Sequence, residues 1–556
     1  MRETVSTKRE YARLAMALLV ALCILVPSAY APAAAQPARS PYLDGVTPVT
    51  SAAGFVHPGV FVGLPQLEAV RRMIADERTP QISIYRWILK SQTSLIDREP
   101  VWDVYSDAVD PSRACDPDGA NGCIMAAGYV GDSGRQHTDR SKRNMSFQIN
   151  SAYANALLYY YSGGDVQYAK NAIRMLNAFA HTFKGFASDP DNSYVGDLFA
   201  AWTAQIIVRS AEILRYTYTA RGGDLEFDVE AFEAMLRAAF VPRLEEGTAN
   251  VNNWRTSAVE ALMNIGVFLD DRSLYEKSLS IWREVTSSYI YVESDGARPA
   301  SIRPWTDAQL DCRWVNNRPL ACANHPKKLP GLVYQHGQNK ETCRDVWHSS
   351  AGLGGIINAA ETAAIQGDDL YGEQATRIMA GVSYAAQLRL NFKSYGYPED
   401  FCADASGDAS ATDGPLADWS STQPLSAVVA QNHYTTQGGL RFPPLSVPGY
   451  PVVEEDPVDL YVKNYLLGAR DAYGYVTSWQ ILTHYGVGAG VSPTSQPYEM
   501  SSARPSSPDD HATTAPVDDR GIPTALTILA VCLGAVFAWF LVVARTGGRG
   551  SRRSDG

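Results

Sequence analysis

The sequence predicts an all-α fold, an α/α toroid: an incomplete barrel of helical hairpins with long inserted loops, followed by one C-terminal transmembrane helix. Three observations predict it. Apolar residues recur at helical spacing through a series of segments, each of roughly 18 to 22 residues. The segments are joined in pairs by short turns, Ser162-Gly163-Gly164-Asp165, Arg221-Gly222-Gly223-Asp224, Asp270-Asp271-Arg272 and Gln366-Gly367-Asp368-Asp369. Each turn is a helix stop followed by an Asp or Ser start signal. Strand-like alternation is scarce outside two long loops, 291–342 and 392–457. Hairpins of unequal length carrying such loops suit a closed ring better than a regular open solenoid, and loops on one rim would shape a cleft.

In chain order, Arg2, Lys8, Arg9 and Arg13 precede an apolar run from Leu14 to Val26 and then small residues such as Ala33-Ala34-Ala35, which predicts a signal peptide over 1–35. The toroid is expected over 36–490. It opens with a helix from Leu64 to about Ile96, followed by a Cys-bearing, Gly- and Asp-rich loop from Asp110 to about Asp139. Helices are then expected near 146–161, 165–184, 196–219, 228–246, 254–269, 272–290, 345–366, 369–390, 458–469 and 471–485. Residues 491–520 turn to Ser, Pro, Thr and Asp and read as an extended stalk. A span over 521–544 follows: Ile522 to Ala544 carries no charge and, at 1.5 Å per residue, reaches about 34 Å as a helix, enough to cross a bilayer. Arg545, Arg549, Arg552 and Arg553 in the tail 545–556 put that end in the cytoplasm. The expected location is therefore a single-pass membrane protein with its N-terminal domain on the extracellular or periplasmic side.

The chain has 556 residues and a net charge of -11, which argues against nucleic acid as a partner. A local reversal stands inside that balance, since Arg298, Arg303, Arg313, Arg318, Lys327, Lys328, Lys340 and Arg344 face only Asp307, Asp311 and Glu341 between residues 298 and 344. A basic segment in an acidic protein points to an anionic ligand. Outside the signal and the span, Cys115, Cys123, Cys312, Cys322, Cys343 and Cys402 remain, an even set that suggests three disulfides in an exported domain. Loop length favours Cys115 with Cys123 and Cys312 with Cys322, leaving Cys343 with Cys402. No CxxC pair is present, and His325, His336 and His348 are widely spaced in irregular chain, so neither a metal nor another cofactor is expected.

The stretch Glu341–Gly355, ETCRDVWHSSAGLGG, is the candidate centre. Arg344 and His348 stand one helical turn apart, with Asp345 three before the histidine, and Gly352, Gly354 and Gly355 let the helix approach a neighbour closely. A second constellation is Asn253, Ser257, Glu260 and Asn264, a polar stripe on a face other than that of Ala258, Leu262, Ile265 and Leu269. That stripe reads either as part of a site or as an N-cap and a solvent-facing side.

Three segments carry a resemblance: AYANALLYYYSGGDVQYAKNAIRMLNAF, NNWRTSAVEALMNIGVFLDDRSLYEKSLSIW and ETCRDVWHSSAGLGGIINAAETAAIQGDDLYGEQATRIMAGVSYAAQLRL. Together they resemble the alginate lyase domain of the family 5 polysaccharide lyase type, an α/α toroid, over roughly Val56 to Leu390. The resemblance implies β-elimination at a 4-linked uronate of an anionic polysaccharide. That reaction needs the substrate carboxylate neutralised, a base to take the C5 proton and an acid for the leaving O4. Asn253 matches the family's Asn, His348 its later His, and Arg344 approximately its Arg. Trp254 and Trp347 stand where the family has a His and a Tyr, which moves the expected proton transfer to His348, with Tyr334 or Tyr194 as partner. Trp254, Trp347, Arg303 and Lys340 are expected substrate contacts, with Trp305 and Trp314 as further sugar platforms or core residues. Two other readings stay open, a non-catalytic binder of anionic polysaccharide and a glycoside hydrolase using Asp345 and Glu260 as opposed carboxylates.

Overall fold

Side chains of Asp and Asn start the helices, and glycines in left-handed conformation stop them. Asp165, Asp228, Asn252, Asp271, Asp369 and Asp456 each accept a backbone N–H of the turn that follows, at 2.8–3.2 Å. Gly163, Gly222 and Gly367 take positive φ at the ends of the preceding helices. A computed structural model describes residues 40–90, 123–125, 138–183, 185–187, 195–316, 334–342, 346–395, 426–467 and 479–488. The signal segment, the stalk, Ile522–Ala544, the basic tail and the side chains of all six candidate disulfide cysteines lie outside the described residues. Among the described residues no helix is long and apolar enough to cross a membrane.

The described chain is mostly helical. Its helices are α1 (Leu64–Ala75), α2 (Gln81–Ile88), α3 (Thr138–Tyr161), α4 (Val166–Thr182), α5 (Val195–Thr217), α6 (Val229–Met235), α7 (Val241–Gly247), α8 (Asn253–Phe268) and α9 (Arg272–Tyr289). After these come α10 (Asp307–Asn316), α11 (Val346–Gln366), α12 (Leu370–Glu373), α13 (Ala375–Tyr395), α14 (Ala427–Gln431), α15 (Pro457–Tyr461) and α16 (Gln480–His484). Short strands are confined to Val49–Thr50 with Val56–His57, Gly59–Val60 with Val62–Gly63, and Cys123–Met125 with Gly185–Ala187.

The sequence suggests one opening helix from Leu64, but the chain breaks after Ala75. Pro80 disfavours helical backbone in the residue before it, and Glu77 takes a φ of 54°, so the chain restarts as α2 at Gln81. The helix expected over 369–390 is likewise two pieces, separated at Gln374.

Successive long helices pack in a circuit, α3 on α5, α5 on α8 and α8 on α11; α11 meets α14, α14 meets α16, and α16 meets α1, which returns to α3. The last joint is hydrogen-bonded, since Gln66 Nε2 donates to the Thr483 carbonyl at 2.9 Å and Gln81 Nε2 to that of Tyr485 at 2.6 Å. Helices α4 and α9 pack on α3 and α8 as their hairpin partners. Because α8 has neighbours on every side, its residues from Arg255 to Phe268 are all buried. The stripe Asn253, Ser257, Glu260 and Asn264 is therefore not a solvent face.

It faces a buried polar network instead. Glu260 Oε1 accepts from Arg209 Nη2 at 2.5 Å, and Glu260 Oε2 accepts from Gln205 at 2.8 Å and Asn358 at 3.3 Å. Gln480 Nε2 extends the chain to Asn358 Oδ1 at 3.0 Å and to Ser426 Oγ at 2.9 Å. One carboxylate thereby links α5, α8 and α11 directly, and α14 and α16 through Asn358. The Arg209 guanidinium also lies 3.6 Å over the Phe61 ring. Burial pushes the Glu260 carboxyl up to about 7 against the pull of Arg209. A second buried ionic contact pins the entry strand, where the His57 ring faces Glu212 at 2.7 Å and Asp270 at 3.2 Å.

Replacing Arg209 by Met should cost about 3–5 kcal/mol in urea denaturation near pH 8, because it leaves a buried carboxylate unpaired. The sign with pH follows from the raised pKa. Without Arg209 the Glu260 carboxyl is pushed up further still, so the penalty of Arg209→Met should grow as pH rises above about 7 and level off below it, where the carboxyl is protonated in both folded proteins. A penalty independent of pH would mean that the carboxylate is not the group left stranded.

Candidate active site

Hydrogen bonds between α8 and α11 join Glu260 to Asn358 and Asn264 to Thr362, both separated by 98 residues, so the two helices run parallel in register. A Cβ on Gly355 would meet the Thr256 backbone at 2.8 Å, which is why this approach needs glycine. Carried back along the same register, Asn253 lies level with Ala351. His348 then stands about 4.5 Å further toward the shared N-terminal rim, three residues at 1.5 Å each. The two strongest sequence candidates are thus brought to one end of adjacent helices.

Asn252, not Asn253, is the side-chain cap of α8, accepting the Trp254 N–H at 3.2 Å. Asn253 is the first residue inside the helix and is fully buried, and among the described residues neither atom of its side-chain amide has a hydrogen-bond partner. Its backbone N–H is one that the helix itself leaves open, and it donates to Glu341 Oε2 at 2.9 Å. His348 is half-buried in the first turn of α11.

Glu341 was legible only as part of a polar stretch before a helix. It is fully buried, and the oxygen that accepts from Asn253 also accepts the Tyr289 hydroxyl at 2.8 Å. Beside it, Lys340 Nζ donates to the Val251 carbonyl at 2.9 Å and lies 5.0 Å over the Trp305 ring. Arg303 donates to the Ala249 carbonyl from an exposed position. Both cations therefore grip the turn that leads into α8, and Trp254 stands half-buried at its start. Asp197, in the first turn of α5, was not singled out by any sequence signal. Burial outweighs its contact with Arg243 at 3.6 Å and pushes its carboxyl up to about 7.

Arg344, Tyr194 and the side chain of Trp347 lie outside the described residues. Tyr334 is described, and it packs in a cluster with Asp311, Tyr291 and Trp314. Its hydroxyl donates to Asp311, which also binds Arg298 at 3.0 and 3.2 Å, and its ring packs on Tyr291 and Trp314. Burial and then the bond to Asp311 raise its pKa, the reverse of what a phenolate base needs. Trp314 is core, 1% exposed, whereas Trp305 is only half-buried. Glu260 is enclosed with Arg209, which removes it from the pair of opposed carboxylates that the hydrolase reading requires.

Residues 90–303 match the profile of the alginate lyase family. That segment is an alginate lyase domain. The family places it among the carbon–oxygen lyases that act on polysaccharides. The matched span includes Asn253 and ends before α11, so it is shorter than the Val56 to Leu390 of the sequence resemblance. No curated protein matches the chain. Among solved structures, alginate lyase A1-III from Sphingomonas species A1 aligns at 13% identity, covering 72% of this chain and 92% of that one with a TM-score of 0.42. An alginate lyase from Bacteroides ovatus aligns at 12% identity, covering 77% and 99% with a TM-score of 0.44. At these identities and scores the likeness adds no weight to the match.

The rim depends on a close fit at Gly352, where a Cβ would come within 1.8 Å of the Tyr289 hydroxyl. Gly352→Ala should displace that ring, break its bond to Glu341 and cost about 1–3 kcal/mol by thermal or urea unfolding. An unchanged midpoint would show that α11 and Tyr289 are not in contact.

Proposed function

We propose that the protein is a polysaccharide lyase that cleaves a 4-linked uronate polymer, alginate or a similar chain, by β-elimination. In this reading the circuit of helices is an α/α toroid with the site at the rim where α8 and α11 begin. The observation that carries it is the Asn253 amide, fully buried yet without a partner among the described residues, next to a helix that offers an imidazole one turn away. A buried amide left unpaired is costly. A substrate carboxylate would supply an acceptor for its Nδ2.

Asn253, with Arg344, binds the uronate carboxylate and stabilises the charge that builds on it as the C5 proton leaves. His348 takes that proton. The C5–H electrons form the C4–C5 double bond, the C4–O4 bond breaks, and the departing O4 takes a proton from the imidazolium so formed. An imidazole suits this exchange because its ring nitrogen can both accept and donate a proton. Trp254 offers a ring at the start of α8 on which a sugar can stack, and Trp347 occupies the corresponding early position of α11. No step calls on a metal or cofactor.

The purified domain should form unsaturated products, seen by their ultraviolet absorbance, on at least one polyuronate. His348→Ala should lose turnover while still binding polymer, and Asn253→Ala should lower kcat. Arg344→Ala should weaken both binding and rate, the binding loss shrinking as salt rises. No turnover by the parent on any polyuronate would favour the binder reading, and reducing ends without unsaturation would favour a hydrolase.

The basic start, apolar run and small residues of 1–35, with the uncharged stretch Ile522–Ala544 and the arginines after it, support an exported domain tethered to a membrane. Truncation before Ile522 should release a soluble ectodomain. Recovery of that truncated protein in the membrane fraction would sink the anchor.

A further inference from the structure

The segment just before α11 is bonded to the starts of both site helices. Residues 337–340 run beside 289–291, with the Tyr291 N–H donating to the Gln338 carbonyl at 2.9 Å and the Lys340 N–H to the Tyr289 carbonyl at 2.8 Å. From there, Asn339 Nδ2 donates to Ser349 Oγ at 3.0 Å, next to His348, and Asn339 Oδ1 accepts the Glu341 N–H at 3.1 Å. Lys340 holds the Val251 carbonyl just ahead of α8, and Glu341 takes the first N–H of α8 itself. Three consecutive side chains thus clasp the end of α9, the start of α8 and the start of α11.

We infer that Glu341 is a positioning residue of the active site, one that sets the height and orientation of Asn253 against His348, an inference that rests on the lyase reading. The Asn253 amide has no hydrogen bond of its own among the described residues to orient it, so its place is set by its backbone. That backbone is held at its N–H by a carboxylate 88 residues away, on the segment that leads into the helix bearing His348. A carboxylate is well suited to the task. One oxygen takes two donors, and full burial keeps water from competing. Glu341 touches no reacting atom. It acts through Asn253, and a displacement of an ångström at such a group costs on the order of a hundredfold in rate.

Two variants that preserve bulk and polarity test this. Glu341→Gln keeps an oxygen at the same reach to accept from Asn253 and Tyr289, and should retain most of the parent kcat. Glu341→Asp keeps the charge but withdraws the oxygen by one methylene, and should lower kcat about tenfold to a hundredfold with KM within about twofold. Hydrogen exchange of peptides covering 250–256 should be faster in Glu341→Asp than in the parent and unchanged in Glu341→Gln. Full kcat in Glu341→Asp would overturn the inference, as would loss in Glu341→Gln with retention in Glu341→Asp, which would make charge rather than position the cause. A parent inactive on every polyuronate would instead sink the lyase reading. The exchange measurement separates the two, because equal exchange in parent and Glu341→Asp refutes the clasp whether or not the protein turns over.

Discussion

The ion pair between Arg209 and Glu260 is the contact on which the circuit of helices converges. Both groups are completely enclosed, and a buried pair of this kind stabilises only when its remaining hydrogen-bonding capacity is met. Gln205 and Asn358 meet much of it for the carboxylate, and Gln480 in turn donates to Asn358 and to Ser426. An apolar interior would tolerate sliding of one helix on the next. A network with directional bonds does not, so α5, α8 and α11 keep one register.

That register has a direct consequence at the rim. Parallel helices present their open N–H groups and the positive ends of their dipoles at the same end, where an anionic polymer is favoured. The clasp at 339–341 works at that end, and the polar network works deeper in. Between them the first turns of α8 and α11 are held from both sides. Asn253 is left as a buried amide with an unmet hydrogen-bonding need, beside the helix whose first turn bears His348. Around the rim the exposure differs, with Trp254 and Trp305 half-buried and Arg303 exposed.

Much of the fold was legible because helix starts and stops are local. Asp165, Asp271 and Asp369 of the expected turns do cap the next helices, whereas after Gly222-Gly223 the cap is Asp228 rather than Asp224, and the boundaries of α4, α5, α8, α9 and α11 lie within about two residues of those expected. The break after Ala75 was missed because an apolar period runs straight through it, and Pro80 overrides the period. That Asn253 and His348 stand at helix starts was legible. The burial of Glu341 and Asp197 was not. A carboxylate ahead of a helix, or in its first turn, is an ordinary capping residue in any sequence, and only its burial and partners distinguish it.

By itself the sequence determined the helical hairpins, the acidic balance with its basic segment, and the residue types available to a lyase, because periodicity, capping and charge are properties of neighbouring residues. Only the tertiary structure decided that the stripe Asn253, Ser257, Glu260 and Asn264 faces inward and that Glu260 serves the interior rather than catalysis. It alone showed that Tyr334 braces a loop through Asp311 and that Glu341 reaches the start of α8. The physical reason is the same for each. Which side of a helix is buried, and which donor a carboxylate meets, depends on chain segments tens to hundreds of residues away, and no local pattern records their arrival.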